Sequence, residues 1–478
     1  MTVRRYAADQ QKLFEYFLEN AMAEILKIKR PSGAMFDAAV IAADKLRRAG
    51  FMTYWVGGAP RDIALNRVPA DVDMVTCARP EEIKEVFPEA EMVGACFGVV
   101  LVKCDDFTFE VATCRDERSY QDGRHPECIR FTNDFVLDIK RRDFTVNAML
   151  YDPFDELLID HAGGLQDLQQ RVIRVVGKPE ERFAEDHLRL FRAIRFAARL
   201  KFDIEEKAWQ TISLMKDLSR SLAAERVRQE LELMLTSANP AEALELLKNC
   251  GLLQVWLPEV DALDGVEQYA KYHPEGDVWQ HTLLMFRNLN EPASVKLAWS
   301  ILLHDIGKKA AYSCGSDNIP HFYCHESIGA DMVAGIACRL RFSAELTECV
   351  THAVRNHMRF ANVVSMRQAK LKRLLAEKDF LMELELHRLD CLSSNGLMET
   401  YNFLQEKLSS SQSVQLPELL LNGNDLIAMG YKPGRAFKIM LDALMDAQLE
   451  NCVIDRSQAV DMIKKSFPLP DTGAGSDK

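Results

Sequence analysis

The chain has 478 residues, 48% of them apolar and 27% charged, an ordinary globular composition long enough for about three domains. Its formal net charge of −12 has the wrong sign for a broad nucleic-acid surface, so phosphate contacts must come from local basic clusters. Apolar runs fall short of the roughly 18 residues needed to span a bilayer, which excludes a membrane-spanning helix.

Met1 to Leu13 carry neither a signal-peptide h-region nor an Arg/Ser-rich transit pattern, so cytoplasm is the expected location. The twelve cysteines are scattered without Cys-x-x-Cys spacing. That pattern favours reduced, mostly buried thiols over disulfides or a zinc site.

Residues 1–36 read as an amphipathic helical extension (Phe14, Tyr16, Phe17, Met22, Ile25, Leu26) broken at Pro31-Ser32-Gly33. A helix carrying Ala39, Ile41, Ala42 and Leu46 then leads into an apolar strand, Phe51 to Val56, which ends at Gly57-Gly58. Asp71 and Asp73 follow in alternation with Val72 and Met74, so in a strand both carboxylates share one face. Hard divalent cations prefer such oxygen ligands, and a Gly pair lets backbone approach a triphosphate.

A helix opens at Pro80-Glu81-Glu82, and two further strands, Gly98–Val102 and Phe107–Ala112, carry Glu110 as a third carboxylate. This order of elements predicts an α+β sheet domain. On its own, Glu110 reads equally well as a surface residue on an edge strand. Two-metal phosphoryl chemistry uses such carboxylates to activate an attacking hydroxyl and neutralise leaving pyrophosphate.

From Pro179 the pattern turns helical, with a basic helix from Arg189 to Leu200. A loop with Pro258 and Gly265 leads into a His-bearing helical region, about residues 270–395. Ser409-Ser410-Ser411-Gln412-Ser413 reads as a linker, and Pro468 to Lys478 as a disordered end. The expected division is an extension (1–36), a sheet head (37–175), a helical neck (176–265), a His-containing domain (266–395) and a helical tail (396–478).

Gly-Gly followed by Asp-Val-Asp resembles the polymerase-β-type nucleotidyltransferase superfamily. The longer pattern resembles the class II tRNA nucleotidyltransferases and bacterial poly(A) polymerases. It is carried by Glu110-Val-Ala-Thr-Cys-Arg115, Asp122-Gly-Arg-His-Pro126, Arg141-Arg-Asp-Phe-Thr-Val-Asn-Ala148 and Glu185-Asp-His-Leu-Arg189, across roughly residues 50–205. Pro60 departs from the aliphatic residue usual before Arg-Asp, and is expected to stiffen the Gly turn.

The resemblance implies metal ligands at Asp71, Asp73 and Glu110, holding Mg²⁺. It implies nucleotide contacts at Gly58, Arg61, Arg142, Asp143 and Asn147, with Asp62 beside Arg61. Asn147 would share a helical face with Asp143 if a helix begins there. Asp186 and Arg189 would read the Watson-Crick edge of the incoming base, and Arg192 and Arg195 would meet phosphate. Read without the resemblance, Asp186 and Arg189 are an ordinary i,i+3 surface pair. Asp122, Arg124 and His125 would form the flexible loop used in switching bases.

The implied activity is template-free addition of CCA, from CTP and ATP, to a tRNA 3′ end. An A-adding enzyme or a poly(A) polymerase shares the same blocks, and a phosphohydrolase with an inactive nucleotide-sensing head is a further alternative.

His281, His304-Asp305 and Asp390 have a spacing similar to the HD metal-dependent phosphohydrolase superfamily, with His325 and His357 as additional ligands. That resemblance implies a divalent transition metal or Mg²⁺ and hydrolase activity, against a vestigial RNA-contacting fold. His321, His352 and His387 are assigned to surface or packing. Asn422-Gly423 and Gly430-Tyr-Lys-Pro-Gly434 resemble the family's tail, where a turn before a helix touches RNA, but also suit a plain connection.

Overall fold

A strongly apolar strand pair organises the first part of the computed structural model, which describes residues 23–94, 98–120, 126–316, 319–410 and 416–469. The strands are β1 (Glu24–Lys27), β2 (Thr53–Val56), β3 (Asp73–Thr76), β4 (Glu91–Gly94), β5 (Val99–Cys104), β6 (Phe107–Thr113), β7 (Arg115–Tyr120), β8 (Pro126–Phe131), β9 (Met149–Asp152) and β10 (Leu157–Asp160). Eight of them form one sheet in the order β1-β10-β9-β2-β3-β6-β5-β4, while β7 and β8 make a separate hairpin. Every residue of β2 is buried, as expected for a central strand covered on both faces.

The helix α1 (Ala34–Arg48) buries Phe36, Ala39, Ala42 and Leu46 and packs on β2, β5 and β6. Small residues along its face let it lie close to the sheet. A second apolar cluster joins Tyr54, Val56, Val75 and Leu150 of the sheet to Phe135 and Ile139 of a later helix.

The amphipathic helix expected over 1–36 does not hold for Glu24–Lys27, which form β1 and pair antiparallel with β10, Ile25 opposite Ile159. The backbone groups of β10 need partners, and satisfying them outweighs a four-residue helical preference. Residues 1–22 lie outside the described part of the chain, as do the loop residues Asp122, Arg124 and His125.

The remaining helices of the first compact unit, which runs to Pro258, are α2 (Gly58–Ala64), α3 (Pro80–Val86), α4 (Phe135–Lys140), α5 (Gly164–Gln170), α6 (Pro179–Glu185), α7 (Leu188–Leu200), α8 (Glu206–Met215), α9 (Ala224–Leu235), α10 (Pro240–Asn249) and α11 (Leu252–Trp256). Both α9 and α10 pack on α7, whose apolar side is fully buried at Leu190, Phe191 and Ile194. Of its basic residues, Arg192 reaches Asp143 in the head and Arg195 pairs with Glu230 on α9.

The second unit, from Glu259, holds α12 (Val278–Arg287), α13 (Val295–Leu303), α14 (Lys308–Ala311), α15 (His325–Arg339), α16 (Ala344–Asn356), α17 (Gln368–Leu375), α18 (Phe380–Ser393), α19 (Glu399–Ser410), α20 (Gly423–Ala428), α21 (Arg435–Leu449) and α22 (Arg456–Ser466). Ser409 and Ser410 of the expected linker close α19, and residues 411–415 lie outside the described set. The last helices gather a small core of their own around Leu421, Leu426, Met440 and Leu444. Of the expected disordered end, residues 470–478 lie outside the described set. Among the described residues, no helix is long and apolar enough to cross a membrane.

Candidate functional site

Register brings the head carboxylates together. Val56 at the end of β2 pairs with Asp73 at the start of β3, and β3 runs parallel to β6 with Met74 opposite Val111. Stepping that register back one residue sets Asp73 opposite Glu110. Both then point away from buried Met74 and Val111, with Asp71 two residues back on the Asp73 side.

Gly57, at φ 72°, turns the chain over this edge: a Cβ there would lie 3.2 Å from Asp73 Oδ2. A Cβ on Gly58 would stand 3.4 Å from the Arg61 guanidinium and 3.9 Å from Asp71 Oδ1. The glycine pair therefore keeps open the space above the two aspartates. Pro60 sits buried in the first turn of α2, where a missing N–H breaks no helical bond.

Burial, then the charges of Asp71 and Glu110, push Asp73 up to about 6. Carboxylates crowded to this degree are the donor set that a divalent cation relieves, so these residues fit one.

The nucleotide-contact candidates are held by a network. Arg61 is buried and donates 2.8 Å to Asn147 Oδ1 and 2.9 Å to Asp62, with its guanidinium against the Phe196 ring. It braces Asn147. No α-helix begins at Asp143, so the shared helical face with Asn147 is not formed. Instead Asp143 precedes a single 3₁₀ turn, Thr145–Asn147, because Phe144 is extended and pairs with Val175.

Gly164 allows that turn to pack, since a Cβ would fall 2.3 Å from the Thr145 carbonyl oxygen. Arg141 and Arg142 both grip Asp138, at 2.6 and 3.0 Å. Burial raises the Asp138 carboxyl, and the charges of Arg142 and Arg141 outweigh it and hold the group below its ordinary value. Asp143 accepts 2.7 Å from Arg192 Nε, and Arg195 pairs with Glu230 at 2.7 Å. The two α7 arginines expected to meet phosphate thus tie helix α7 to the head and to α9.

Asp186 and Arg189 do not form the simple i,i+3 surface pair. Asp186 lies in the joint between α6 and α7, where Oδ1 accepts 3.0 Å from Leu188 N–H and Oδ2 accepts 3.2 Å from Arg226. Arg189 is buried and donates to the Arg182 carbonyl at 2.8 Å and to Glu185 at 2.7 Å. Arg182 donates to the carbonyls of Arg141 and Arg142, so α6 is fastened to the same turn.

Sequence reasoning missed Asp138 and Arg226. A signal existed for the first: Asp138 stands three and four residues before the paired arginines on one helical face. For Arg226 the nearest signal was its i,i+4 spacing from Glu230 on α9.

In the second unit, α12 carries His281, the end of α13 delivers His304-Asp305, α15 opens on His325, His357 follows α16, and α18 carries Asp390. His281, His304 and Asp305 have ligand atoms mutually within 4.8 Å, as do Asp305, His325 and His357. Gly307 permits this approach, because a Cβ there would lie 2.0 Å from the His325 carbonyl oxygen.

Tautomers follow from the hydrogen bonds. Nδ1 of His304, His325 and His357 each contacts the carbonyl three residues earlier, at 2.9, 2.9 and 2.7 Å, and a carbonyl only accepts. His281 Nδ1 contacts Glu275 Oε1 at 2.7 Å, while its Nε2 lies 3.2 Å from Asp390. In the neutral form each Nε2 therefore faces inward with a lone pair. The His325 and His357 Nε2 atoms are 3.1 Å apart, His304 Nε2 lies 3.0 Å from Asp305 Oδ2, and Lys308 Nζ pairs with that same oxygen at 2.7 Å. Imidazole Nε2 atoms turned toward the carboxylates of Asp305 and Asp390, with ligand atoms this close together, fit a cation.

Burial opposes charge on His281, but hydrogen bonds to Asp390 and Glu275 raise it to about 9, whereas burial drives His357 down to about 4. Sequence reasoning missed His273 and Glu275, which with His281 make a third close group. His321 stacks on Tyr323, His352 bonds Glu383 at 2.6 Å, and His387 packs against Phe360.

Three family models match the chain in succession: "Poly A polymerase head domain" over residues 53–174, "Probable RNA and SrmB- binding site of polymerase A" over 201–263, and "HD domain" over 275–383. A CCA-adding enzyme of Lactobacillus johnsonii is 29% identical over 426 residues, 89% of this chain and 96% of that one. A CCA-adding enzyme of Bacillus velezensis is 41% identical over 223 residues, 47% of this chain and only 55% of its own length. The Bacillus stearothermophilus CCA-adding enzyme, solved in complex with CTP, has a TM-score of 0.70 at 24% identity, covering 91% of this chain and 98% of that one. With its carboxylate-bearing sheet, its helical neck and its histidine cluster in this order, the chain carries a poly(A) polymerase head domain, a polymerase A RNA-binding segment and an HD domain in succession, and is similar over most of its length to a CCA-adding enzyme.

Proposed function

We propose that this protein adds CCA, from CTP and ATP, to the 3′ end of tRNA without a nucleic-acid template. The observation that carries this reading is the alignment of Asp71, Asp73 and Glu110 beneath an open Gly57-Gly58 turn. Relatives named as CCA-adding enzymes support it, one of them over nearly its whole length. Asp71, Asp73 and Glu110 would hold Mg²⁺, which when bound supplies charge neutralisation for the transferring phosphoryl group.

The chain's own residues supply the rest. The Gly58 backbone leaves room for the triphosphate, Arg61 holds Asn147 toward the nucleotide, and Arg142 and Asp143 set the sugar-phosphate side of the site. Asp186 accepts from the exocyclic amine of cytosine or adenine, and Arg189 fixes the turn behind it. Arg192 and Arg195 act by positioning α7. The five-part division read from the sequence serves as the domain assignment, except that Glu24–Lys27 join the head sheet as β1, with nucleotidyl transfer in the head and neck.

His281, His304, Asp305 and Asp390, joined by His325 and His357, would hold a transition metal or Mg²⁺ for phosphoester hydrolysis. The inward Nε2 atoms support retention of that site. Cytoplasm is the proposed location: ten described cysteines are free, with Cys314, Cys324, Cys338 and Cys452 exposed, as suits a reducing compartment. These exposed thiols depart from the expectation of mostly buried ones.

A poly(A)-adding or A-adding activity is the second reading, favoured by family models named for polymerase A over the head and neck. Purified protein incubated with tRNA lacking its 3′ CCA and each nucleotide singly separates them. CCA addition requires CTP uptake first and ATP uptake after it. ATP uptake alone would establish the second reading, and no uptake of any nucleotide would sink both.

A further inference from the structure

Asp186 occupies an awkward place for a residue that must select a base. It caps the C-terminus of α6, with φ −144° and ψ 105°, in the joint before α7 begins, so regular helix does not fix its side chain. Two donors do. Leu188 N–H holds Oδ1 at 3.0 Å, and the Arg226 guanidinium holds Oδ2 at 3.2 Å. The partners are part-buried, with side-chain exposures of 26% for Arg226 and 20% for Asp186, so the pair is shielded more than a surface bridge.

Arg226 belongs to a larger brace. It sits on α9 four residues before Glu230, on the same helical face, and Glu230 pairs with Arg195 on α7 at 2.7 Å. Helix α9 thereby grips the base-reading segment at two points, Asp186 at the entrance to α7 and Arg195 two turns along it. A further Arg226 nitrogen, Nη1, is buried without a hydrogen-bond partner. This costs stability that a surface arginine would not incur.

We propose that Arg226 is a positioning residue for base selection, holding the Asp186 carboxylate in the orientation that accepts an exocyclic amine. The inference rests on the base-reading role given to Asp186 above. Cytosine and adenine present an amine beside an unprotonated ring nitrogen, whereas uracil and guanine present a carbonyl beside an N–H. A fixed acceptor favours the first pair and repels the second. An acceptor free to rotate discriminates less, because it can turn away from the wrong carbonyl. Each carboxylate oxygen accepts one protein donor in this arrangement and keeps a lone pair for the nucleotide.

The test measures kcat/KM for CTP and for UTP, separately, on tRNA lacking its 3′ CCA. Wild type, Arg226→Met, Arg226→Lys, Asp186→Ala and the Asp186→Ala/Arg226→Met double variant are compared. Arg226→Met is expected to lose about tenfold of the CTP-over-UTP preference, the scale of one charge-assisted hydrogen bond. Arg226→Lys is expected to recover most of it, and the double variant to be no less selective than Asp186→Ala alone.

A purely structural role would slow both nucleotides alike and leave their ratio unchanged; that result, or additive losses in the double variant, overturns the proposal. If Arg226→Met fails to fold by circular dichroism, Arg226→Gln takes its place in the same ratio. Asp186→Ala with full CTP preference would show that the base-reading assignment is wrong, and the proposal falls with it. A wild-type protein that incorporates nothing would instead show that the transferase reading is wrong.

Discussion

At the scale of single residues, the head site depends on what Gly57 lacks. Its φ of 72° is strained for any L side chain, and a Cβ would also crowd Asp73 Oδ2 at 3.2 Å. Gly50 separates the two effects: its φ is 98°, but nothing lies within 4 Å of a Cβ there. Gly57→Ala and Gly50→Ala are both expected to lose about 1–3 kcal/mol of stability, read as a lower thermal midpoint. Only Gly57→Ala is expected to depress nucleotide incorporation beyond that loss, because it moves a carboxylate. Equal incorporation by the two variants would remove the crowding argument. The Gly pair and Asp71, Asp73 were legible in the sequence because their spacing encodes a turn and one strand face. The placement of Arg61 was not, since a sequence shows that an arginine is present but not whether it faces substrate or a buried asparagine 86 residues away.

At the scale of elements, the turn between α4 and the 3₁₀ segment carries two of the nucleotide-contact candidates, Arg142 and Asp143, and Asp138 governs it. That carboxylate is 1% exposed and shared by Arg141 and Arg142, whose side chains are 18% and 17% exposed. Asp138→Asn is expected to destabilise the protein at pH 7 by about 2–3 kcal/mol, the range for hydrogen bonds to charged groups. Burial raises this carboxyl but the two arginines hold it below its ordinary value, so its stabilising contribution is complete above the unfolded carboxylate value of about 4. The contribution is lost as pH falls through the lowered folded value. Wild type is therefore expected to lose stability more steeply than Asp138→Asn in that acid window, by thermal midpoints taken at several pH values; parallel curves would contradict the assignment. Elements with their own strong pattern, such as α1 and α7, were readable because periodicity and burial agree. The strand Glu24–Lys27 was not, because its partner Leu157–Asp160 lies more than a hundred residues away and short edge strands carry little local signal.

At the scale of the whole molecule, the two candidate centres draw on separate stretches of chain. Every head and neck residue in the site falls between Gly57 and Glu230, and every histidine and carboxylate of the second cluster falls between His273 and Asp390. The spacing of His281, His304-Asp305 and Asp390 was legible because those residue types are rarely buried without a partner. Glu275 was not, since a loop glutamate before a helix reads as an ordinary solvated residue until His281 is seen beside it. Separate residues argue for separable chemistry, and one variant in each centre tests it. Gly307→Ala would place a Cβ 2.0 Å from the His325 carbonyl oxygen and force the start of α15 away from Asp305. Overpacking of this kind costs about 1–3 kcal/mol, borne by the second unit. Its bound divalent metal, measured by elemental analysis after gel filtration, is expected to fall while incorporation of CTP and ATP persists. Asp73→Asn is expected to do the reverse, because it removes a head ligand and leaves the second cluster untouched. If either variant abolished both metal content and incorporation, the two centres would be coupled, and the physical reason would have to lie in how the halves of the chain stabilise each other rather than in shared ligands.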